Sequence, residues 1–518
     1  MTRSKKLLYN TVSSLAYQLI TLVCGFILPR FFLSYYGSAV NGLVSSISQF
    51  LGFITLAECG VGAVVQSTLY KPLADKNDLE ISRIYVSSER FFRKIAYILL
   101  VYVVALMIVY PLITLDSFGY IYTMLLILVI SISSFAQYYF GMTYRLLLNA
   151  DQLGFIQYTI HSLILILNTI CCVVLMRFNA PIHVVKLVTS LIFIMQPALM
   201  AIIARRKYKI DRKVELNGEP IKQKWNGLAQ HIAAVVLGNT DTVVLTILST
   251  LENVSIYAVY HLVVNGVKQI VVSLTNGMQA MLGNMMAKKE DKQLIRTFET
   301  FEWLMHTLVT VVFTITAVTI VPFVSVYTKG ITDTNYIVPA FAYLITLAQA
   351  SYCLRLPYNI AVLAAGQYKQ TQWSAIIEAA INIIVSVVLV FRFGLIGVAV
   401  GTLVAMTYRT CYFVHYLSKN ILYRKPQYFL KHIAVDGLCV AAVIGVTELF
   451  SQMFILAEIT YISWFILAIK VGITVVVISG VINIIFYKNK FVALVSATSE
   501  RIKKDMKKFG GGGALPFC

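Results

Sequence analysis

Charge is what this chain has least of. Only 13% of its 518 residues are Asp, Glu, Lys or Arg, against 58% hydrophobic, and the mean hydropathy is +0.78. Soluble domains carry about 25% charged residues, so a soluble globular reading is excluded. Acids are scarcer than bases, 23 against 43, for a net charge of +20. That balance does not point to nucleic acid, because most of the bases sit in alternate loops between apolar runs, as in a membrane protein. Cysteine forms neither a CxxC nor a Cys/His ligand spacing, so no metal centre is expected. Cys24, Cys59, Cys171, Cys172, Cys353, Cys411 and Cys439 read as small thiols in or beside apolar segments. Catalytic signatures are missing too: there is no P-loop, no G-x-S-x-G, no H-E-x-x-H and no D-x-D in a polar loop. The chain is not expected to be an enzyme or to use ATP directly.

What is present is a long series of apolar runs of about 20 residues, the length a membrane helix needs. Fourteen are expected. The first six lie near 9–35, 40–67, 92–115, 119–142, 153–177 and 182–204. Six more lie near 227–250, 254–280, 300–326, 336–364, 371–391 and 395–417, and a last pair near 430–454 and 460–486. Nothing alternates as barrel strands do, so helices satisfy the backbone. One set of loops holds Lys71, Lys76, Arg83 and Arg90, then Arg205, Arg206 and Lys207, then Lys288, Lys289, Lys292 and Arg296. The opposite loops are short and hold Arg177, Lys329 and Arg392. Both termini are therefore expected in the cytoplasm, with no external domain. Arg3, Lys5 and Lys6 precede a long segment without an A-x-A site, which reads as a retained first helix. The Gly-rich stretch after Phe509 reads as an appendage outside the fold.

The chain also repeats itself. LPRFFLSYYGSAVNGLVSSISQFLGFITLAECGVGAVVQSTLY, from Leu28 to Tyr70, has an echo from Leu245 to Lys288. Leu33-Ser34 matches Leu248-Ser249, Asn149–Gln152 matches Ala364–Gln367, and Arg177-Phe178 matches Arg392-Phe393, all offset by about 215 positions. Six helices thus repeat as six. An even number makes the halves parallel in the membrane, which is a transporter architecture with its site near the midplane. The expected organisation is an N-terminal lobe (1–210), a cytoplasmic linker (211–225), a C-terminal lobe (226–425), two further helices (426–490) and a basic tail (491–518).

Polar groups at membrane depth are the candidate functional residues, because a charge there costs about 2.5–3.5 kcal/mol on insertion scales. On a wheel of about 100° per residue, His261, Asn265, Lys268, Asn276 and Gln279 of the eighth helix share a face. They read as the wall of a water-filled cavity, with Lys268 as an anion contact or as a partner for Asp241. Asn41, Ser45, Ser48, Thr55, Gly62 and Gln66 of the second helix share a face, and Ser45 and Gln49 stand at the repeat positions of His261 and Asn265. Glu58 lies at the edge of that face. Asp241 on the seventh helix and Glu378 on the eleventh, beside Asn382, are candidates to carry a coupling Na+ or H+. Gln157, His161 and Asn168 share a face of the fifth helix. Arg355 precedes Pro357 inside the tenth helix. Arg30 lies near the outer end of the first, as a cavity contact or an interfacial anchor.

Several of these stretches carry a family resemblance. The segment from Leu28 through Ala74, GNTDTVVLTIL (238–248), LRLPYNIAVLAAGQYKQTQ (354–372) and IEAAINIIVSVVLVFRFGLIGVAVGTLVA (377–405) resemble Wzx-type polysaccharide repeat-unit flippases. These belong to the superfamily that also holds lipid II flippases and multidrug and toxic-compound extruders. The resemblance implies an all-α polytopic fold with two six-helix lobes in a V, lined by the first, second, seventh and eighth helices. It implies transport of an undecaprenyl-pyrophosphate-linked oligosaccharide by alternating access in the bacterial cytoplasmic membrane. Membrane lipids, a polysaccharide polymerase and glycosyltransferases would be its partners. Lys268 and Arg355 are then candidates for the anionic head. The chain departs from lipid II flippases in lacking clustered arginines on its first helix. The alternative is a multidrug or small-cation antiporter of the same fold, whose cavity should be acidic and aromatic. A polymerase or ligase acting on the same lipid would need a longer outward loop.

Overall fold

The computed structural model describes residues 3–58, 61–214, 228–275 and 277–510, and these form helices and short turns with no strand. The chain begins with α1 (Arg3–Gly52), α2 (Val61–Ala74), α3 (Asp78–Ile113), α4 (Tyr120–Ala136) and α5 (Met142–Ala150). There follow α6 (Gly154–Arg177), α7 (Ile182–Lys207), α8 (Leu228–Leu248), α9 (Leu251–Leu274) and α10 (Met278–Ala287). The rest is α11 (Asp291–Tyr327), α12 (Pro339–Ala364), α13 (Tyr368–Phe393), α14 (Leu395–Asn420), α15 (Gln427–Leu449) and α16 (Tyr461–Gly510). Among the described residues, twelve helical stretches are long and apolar enough to cross a membrane, so the all-α, multi-pass class holds. The expected count was fourteen, and two features account for the difference. α1 runs through two expected helices, bending at Gly37 (φ 79°). α12 has the length of a span but carries Gln349, Arg355 and Asn359, and is not among the twelve.

Two expected helices are broken. A tight 3-10 segment, Phe53–Glu58, interrupts the second. Three residues per turn instead of 3.6 shift the angular phase, so the stripe from Asn41 to Gln66 does not continue on one face. The eighth divides into α9 and α10 before Gly277, whose φ of 86° favours a residue without Cβ. Gln279 therefore lies on α10, apart from His261 and Lys268 on α9, and Asn276 lies outside the described residues.

Contacts divide the chain into two units. One comprises Met1–Gly266, Tyr327–Ile345 and Tyr368–Arg409, and the other Val267–Val326, Thr346–Gln367 and Thr410–Cys518. In the first, the Leu28–Tyr70 stretch meets its echo directly. Asn41 donates to Ser255 Oγ at 2.8 Å, and the hydroxyls of Ser46 and Thr246 lie 2.6 Å apart. A Cβ on Gly42 would sit 1.8 Å from the Leu251 carbonyl oxygen, so only glycine allows this approach. The bend at Gly37 starts the second arm of α1, and Asp333 accepts from the Ser38 backbone N–H at 2.6 Å and from its hydroxyl at 2.7 Å. A carboxylate suits a helix start, where backbone N–H groups lack partners. The second unit packs around Phe298, Tyr358 and Phe413, all fully buried, and Trp303 donates to Asn483 of α16 at 2.7 Å.

Outside the spans, Asp151 ties the start of α1 to the end of α7. It accepts from Lys6 at 2.9 Å, Lys207 at 2.8 Å and Tyr208 at 2.6 Å. Burial pushes its carboxyl up, but the hydrogen bonds from Lys207, Tyr208 and Lys6 outweigh that and hold it below the usual carboxylate range. A depressed folded pKa contributes stability above the unfolded pKa, near 3.8, and the contribution is lost as pH falls through the folded value. Thermal unfolding in detergent should therefore show an acid-dependent loss between about pH 5 and pH 2 that Asp151→Asn removes. Gly42→Ala should destabilise by about 1–3 kcal/mol through overpacking, read as a lower melting temperature, whereas Gly238→Ala, with open space at its Cβ, should not.

Candidate functional site

A buried polar constellation of the first unit lies where α8, α13 and α14 meet. Small residues bring the helices together. Ala233 on α8 packs against Ala375 and Ala379 on α13. A Cβ on Gly401 of α14 would fall 2.2 Å from the Ser386 hydroxyl of α13, and one on Gly397 would collide with the Leu389 carbonyl. Such seams let membrane helices approach closely enough for polar groups to bond across them. The face of α13 turned inward is the polar one: Thr371, Ser374, Glu378, Asn382 and Ser386 are all buried.

Asp241 of α8 is 5% exposed and takes its hydrogen bonds from neutral groups. Tyr257 donates to Oδ2 at 3.0 Å, Thr402 to Oδ2 at 2.6 Å and Asn382 to Oδ1 at 3.2 Å. Asn382 Nδ2 also lies 3.1 Å from Thr402 Oγ1, which lies 3.2 Å from the Val398 carbonyl. The Asn382 Oδ1 atom is buried without a hydrogen-bond partner. One hydroxyl proton cannot serve both Asp241 and Val398, so oxygens outnumber protons here. A hard cation prefers such an all-oxygen set, and a proton on Asp241 would also relieve it. One turn along α13, Glu378 behaves differently. Arg409 of α14 donates to it at 2.5 Å, and both side chains are buried. Among the described residues no cluster of three His, Cys, Asp or Glu could hold a metal ion.

The other expected residues are distributed as follows. His261 stacks on Tyr257, ring centroids 5.3 Å apart, and so stands one contact from Asp241. Glu58, at the end of the 3-10 segment, accepts from Tyr138 at 2.5 Å, and Tyr138 sits on a single wide turn between α4 and α5. Arg30 donates to the Lys329 backbone carbonyl at 2.6 Å, while its Nη1 is buried without an acceptor. Ser45, Gln49 and Asn265 are half-buried. His161 meets the Tyr17 hydroxyl at 3.3 Å and the amide of Gln196. In the second unit, Lys268 Nζ lies 5.3 Å from the Tyr352 ring centroid and the Arg355 guanidinium 4.7 Å from the same ring. Arg355 is buried and Lys268 half-buried.

A second buried network went unnoticed in the sequence. Glu302 of α11, fully buried, is held by both terminal nitrogens of Arg424 and by the Tyr358 hydroxyl at 2.7 Å. His306, one turn on, meets Asp436 of α15 at 2.6 Å and stacks on His432 at 4.8 Å. His432 meets Tyr487 of α16 at 2.7 Å. The available signal was an acid and a histidine four residues apart, 302 and 306 on one apolar helix and 436 and 432 on another.

No protein-family model and no curated protein matches this chain. Solved structures do. A lipid II flippase, MurJ, in an inward closed conformation superposes with a TM-score of 0.67 over 93% of this chain and 99% of its own, at 15% identity. The fold is that of the lipid II flippase. An inward-facing multidrug resistance MATE transporter of the MOP superfamily matches at 0.56 over 79% and 98%, at 12% identity. The Vibrio cholerae MATE transporter VcmN in its bent form matches at 0.50 over 84% and 96%, at 14% identity. These neighbours are transporters and flippases rather than enzymes.

The Glu378–Arg409 pair gives a sharp test of its role. Arg409→Leu should destabilise by about 3–5 kcal/mol, because it strands a buried carboxylate. The double variant Glu378→Leu/Arg409→Leu should recover most of that loss in a melting experiment. If the single and double variants melt alike, the pair is not energetically coupled.

Proposed function

We propose that the chain is a flippase. It moves an undecaprenyl-pyrophosphate-linked oligosaccharide repeat unit from the inner to the outer leaflet of the bacterial cytoplasmic membrane, for capsule, exopolysaccharide or O-antigen assembly. The observation that carries this reading is the cation pair on Tyr352. Lys268 and Arg355 place two positive charges on one aromatic ring in the apolar part of the chain. A pyrophosphate is the complementary charge, and a guanidinium suits phosphate oxygens through its forked donors. The fold adds support, since one protein that has it is a lipid II flippase. His261, Asn265, Asn276, Ser45, Gln49 and Arg30 are the further contacts in this reading. It places both termini in the cytoplasm and the glycosyltransferases and polymerase of the same glycan as partners.

Coupling is assigned to Asp241. A Na+ ion would be held by its carboxylate with Asn382 Oδ1 and Thr402 Oγ1, and would supply the positive charge this buried acid lacks; a proton would do the same. Glu378 is already neutralised by Arg409, and Glu58 is held by Tyr138.

The multidrug exporter reading draws on the MATE neighbours and on Asp241. It is disfavoured by the cation pair, which repels a lipophilic cation.

Deletion of the chain should abolish surface polysaccharide and leave its lipid-linked repeat unit on the inner leaflet. Restoring Lys268→Gln/Arg355→Gln at normal abundance should leave transport at least about tenfold down, the scale of lost hydrogen bonds to charge. Arg355→Lys should restore part of it. Intact surface glycan in the deletion strain would overturn the flippase reading, and cation extrusion that survives loss of all surface glycan genes would favour the exporter.

A further inference from the structure

A groove of about 720 Å3 opens in the second unit between α10 and the first four turns of α11. Its lining is divided by chemistry. Lys292 and Arg296 stand at one end, with the hydroxyls of Thr297 and Thr300 beside them, and no carboxylate lines it. Met281 and Leu304 stand among the apolar groups that complete it, and both present exposed side chains. The position of α11 explains the division. Its charged residues, Asp291, Lys292, Arg296, Glu299 and Glu302, all fall in its first twelve residues, and none follows to Tyr327. The groove therefore straddles the level where α11 passes from a polar surface into an apolar one. Two cations with hydroxyls at that level, above an exposed apolar floor, match an amphiphile with an anionic head and a hydrocarbon chain.

We infer that this groove is a binding site for an anionic phospholipid of the surrounding membrane, distinct from the cation pair on Tyr352. The phosphate and its glycerol sit against Lys292, Arg296 and the two threonines, and the first methylenes of an acyl chain lie on Met281 and Leu304. The occupant is a bilayer lipid rather than a soluble anion, because half of the lining would gain nothing from a hydrophilic ion.

The test uses the full-length protein in a neutral detergent, titrated with dioctanoyl phosphatidylglycerol, dioctanoyl phosphatidylcholine or inorganic phosphate, with bound lipid counted by native mass spectrometry. Phosphatidylglycerol should bind at least about fivefold more tightly than phosphatidylcholine, and Lys292→Gln/Arg296→Gln should erase that preference, each base contributing several-fold. Lys288→Gln/Lys289→Gln, which removes two nearby charges that do not line the groove, should leave the preference intact. Leu304→Asn should weaken phosphatidylglycerol while leaving any phosphate binding unchanged. Equal affinity for the two lipids, or equal loss in both charge variants, overturns the site. Displacement of phosphatidylglycerol by inorganic phosphate at similar concentration overturns the lipid as its occupant.

Discussion

A carboxylate held inside a bilayer by neutral donors is the constraint on which the first unit turns. Asp241 is buried and receives hydrogen bonds from Tyr257, Asn382 and Thr402, one each from α9, α13 and α14. Each donor must arrive within about 3 Å, so three helices are fixed against α8 at one level. The packing that achieves this is visible in the small residues around it: alanines between α8 and α13, and Gly397 and Gly401 between α13 and α14. Neutral donors solvate the charge without cancelling it. The arrangement therefore has a use for a cation or a proton, which a carboxylate already paired with arginine does not have.

Two other buried acids show the contrast. Glu378 with Arg409 and Glu302 with Arg424 are closed ion pairs, each within its own unit. Pairs of this kind hold helices in register at little net gain, and losing one partner is costly. In the proposed function Asp241 is the acid that responds to a mobile charge. The proposed division of labour follows: two acids fix structure, one responds to ions, and Lys268 with Arg355 meets the anionic cargo.

Much of this could be read from the residues, and the limits were physical. The helical, multi-pass class followed from apolar length, and the polar face of α13 followed from helical spacing, down to the adjacency of Glu378 and Asn382. The internal repeat singled out the Leu28–Tyr70 stretch and its echo, and Asn41 of the one bonds Ser255 of the other. Spacing failed where a helix stopped being one. The wheel that joined Asn41 to Gln66 assumed a continuous helix, and the 3-10 turn at Phe53–Glu58 shifted its phase. The wheel that joined His261 to Gln279 crossed the break before Gly277. Partners on other helices were not legible at all. Nothing near Glu378 in sequence announces Arg409, since the pair depends on how α14 folds back beside α13. Tyr257 and Thr402 look like ordinary apolar-face residues until the carboxylate they serve is located.

The most direct test is flipping by the purified protein in proteoliposomes containing a lipid-linked oligosaccharide, measured with and without an imposed Na+ or proton gradient. One of these gradients should accelerate flipping by the native protein, and Asp241→Asn should flip at a gradient-independent rate while still binding the lipid. Full gradient dependence in the variant would mean that Asp241 has no part in coupling.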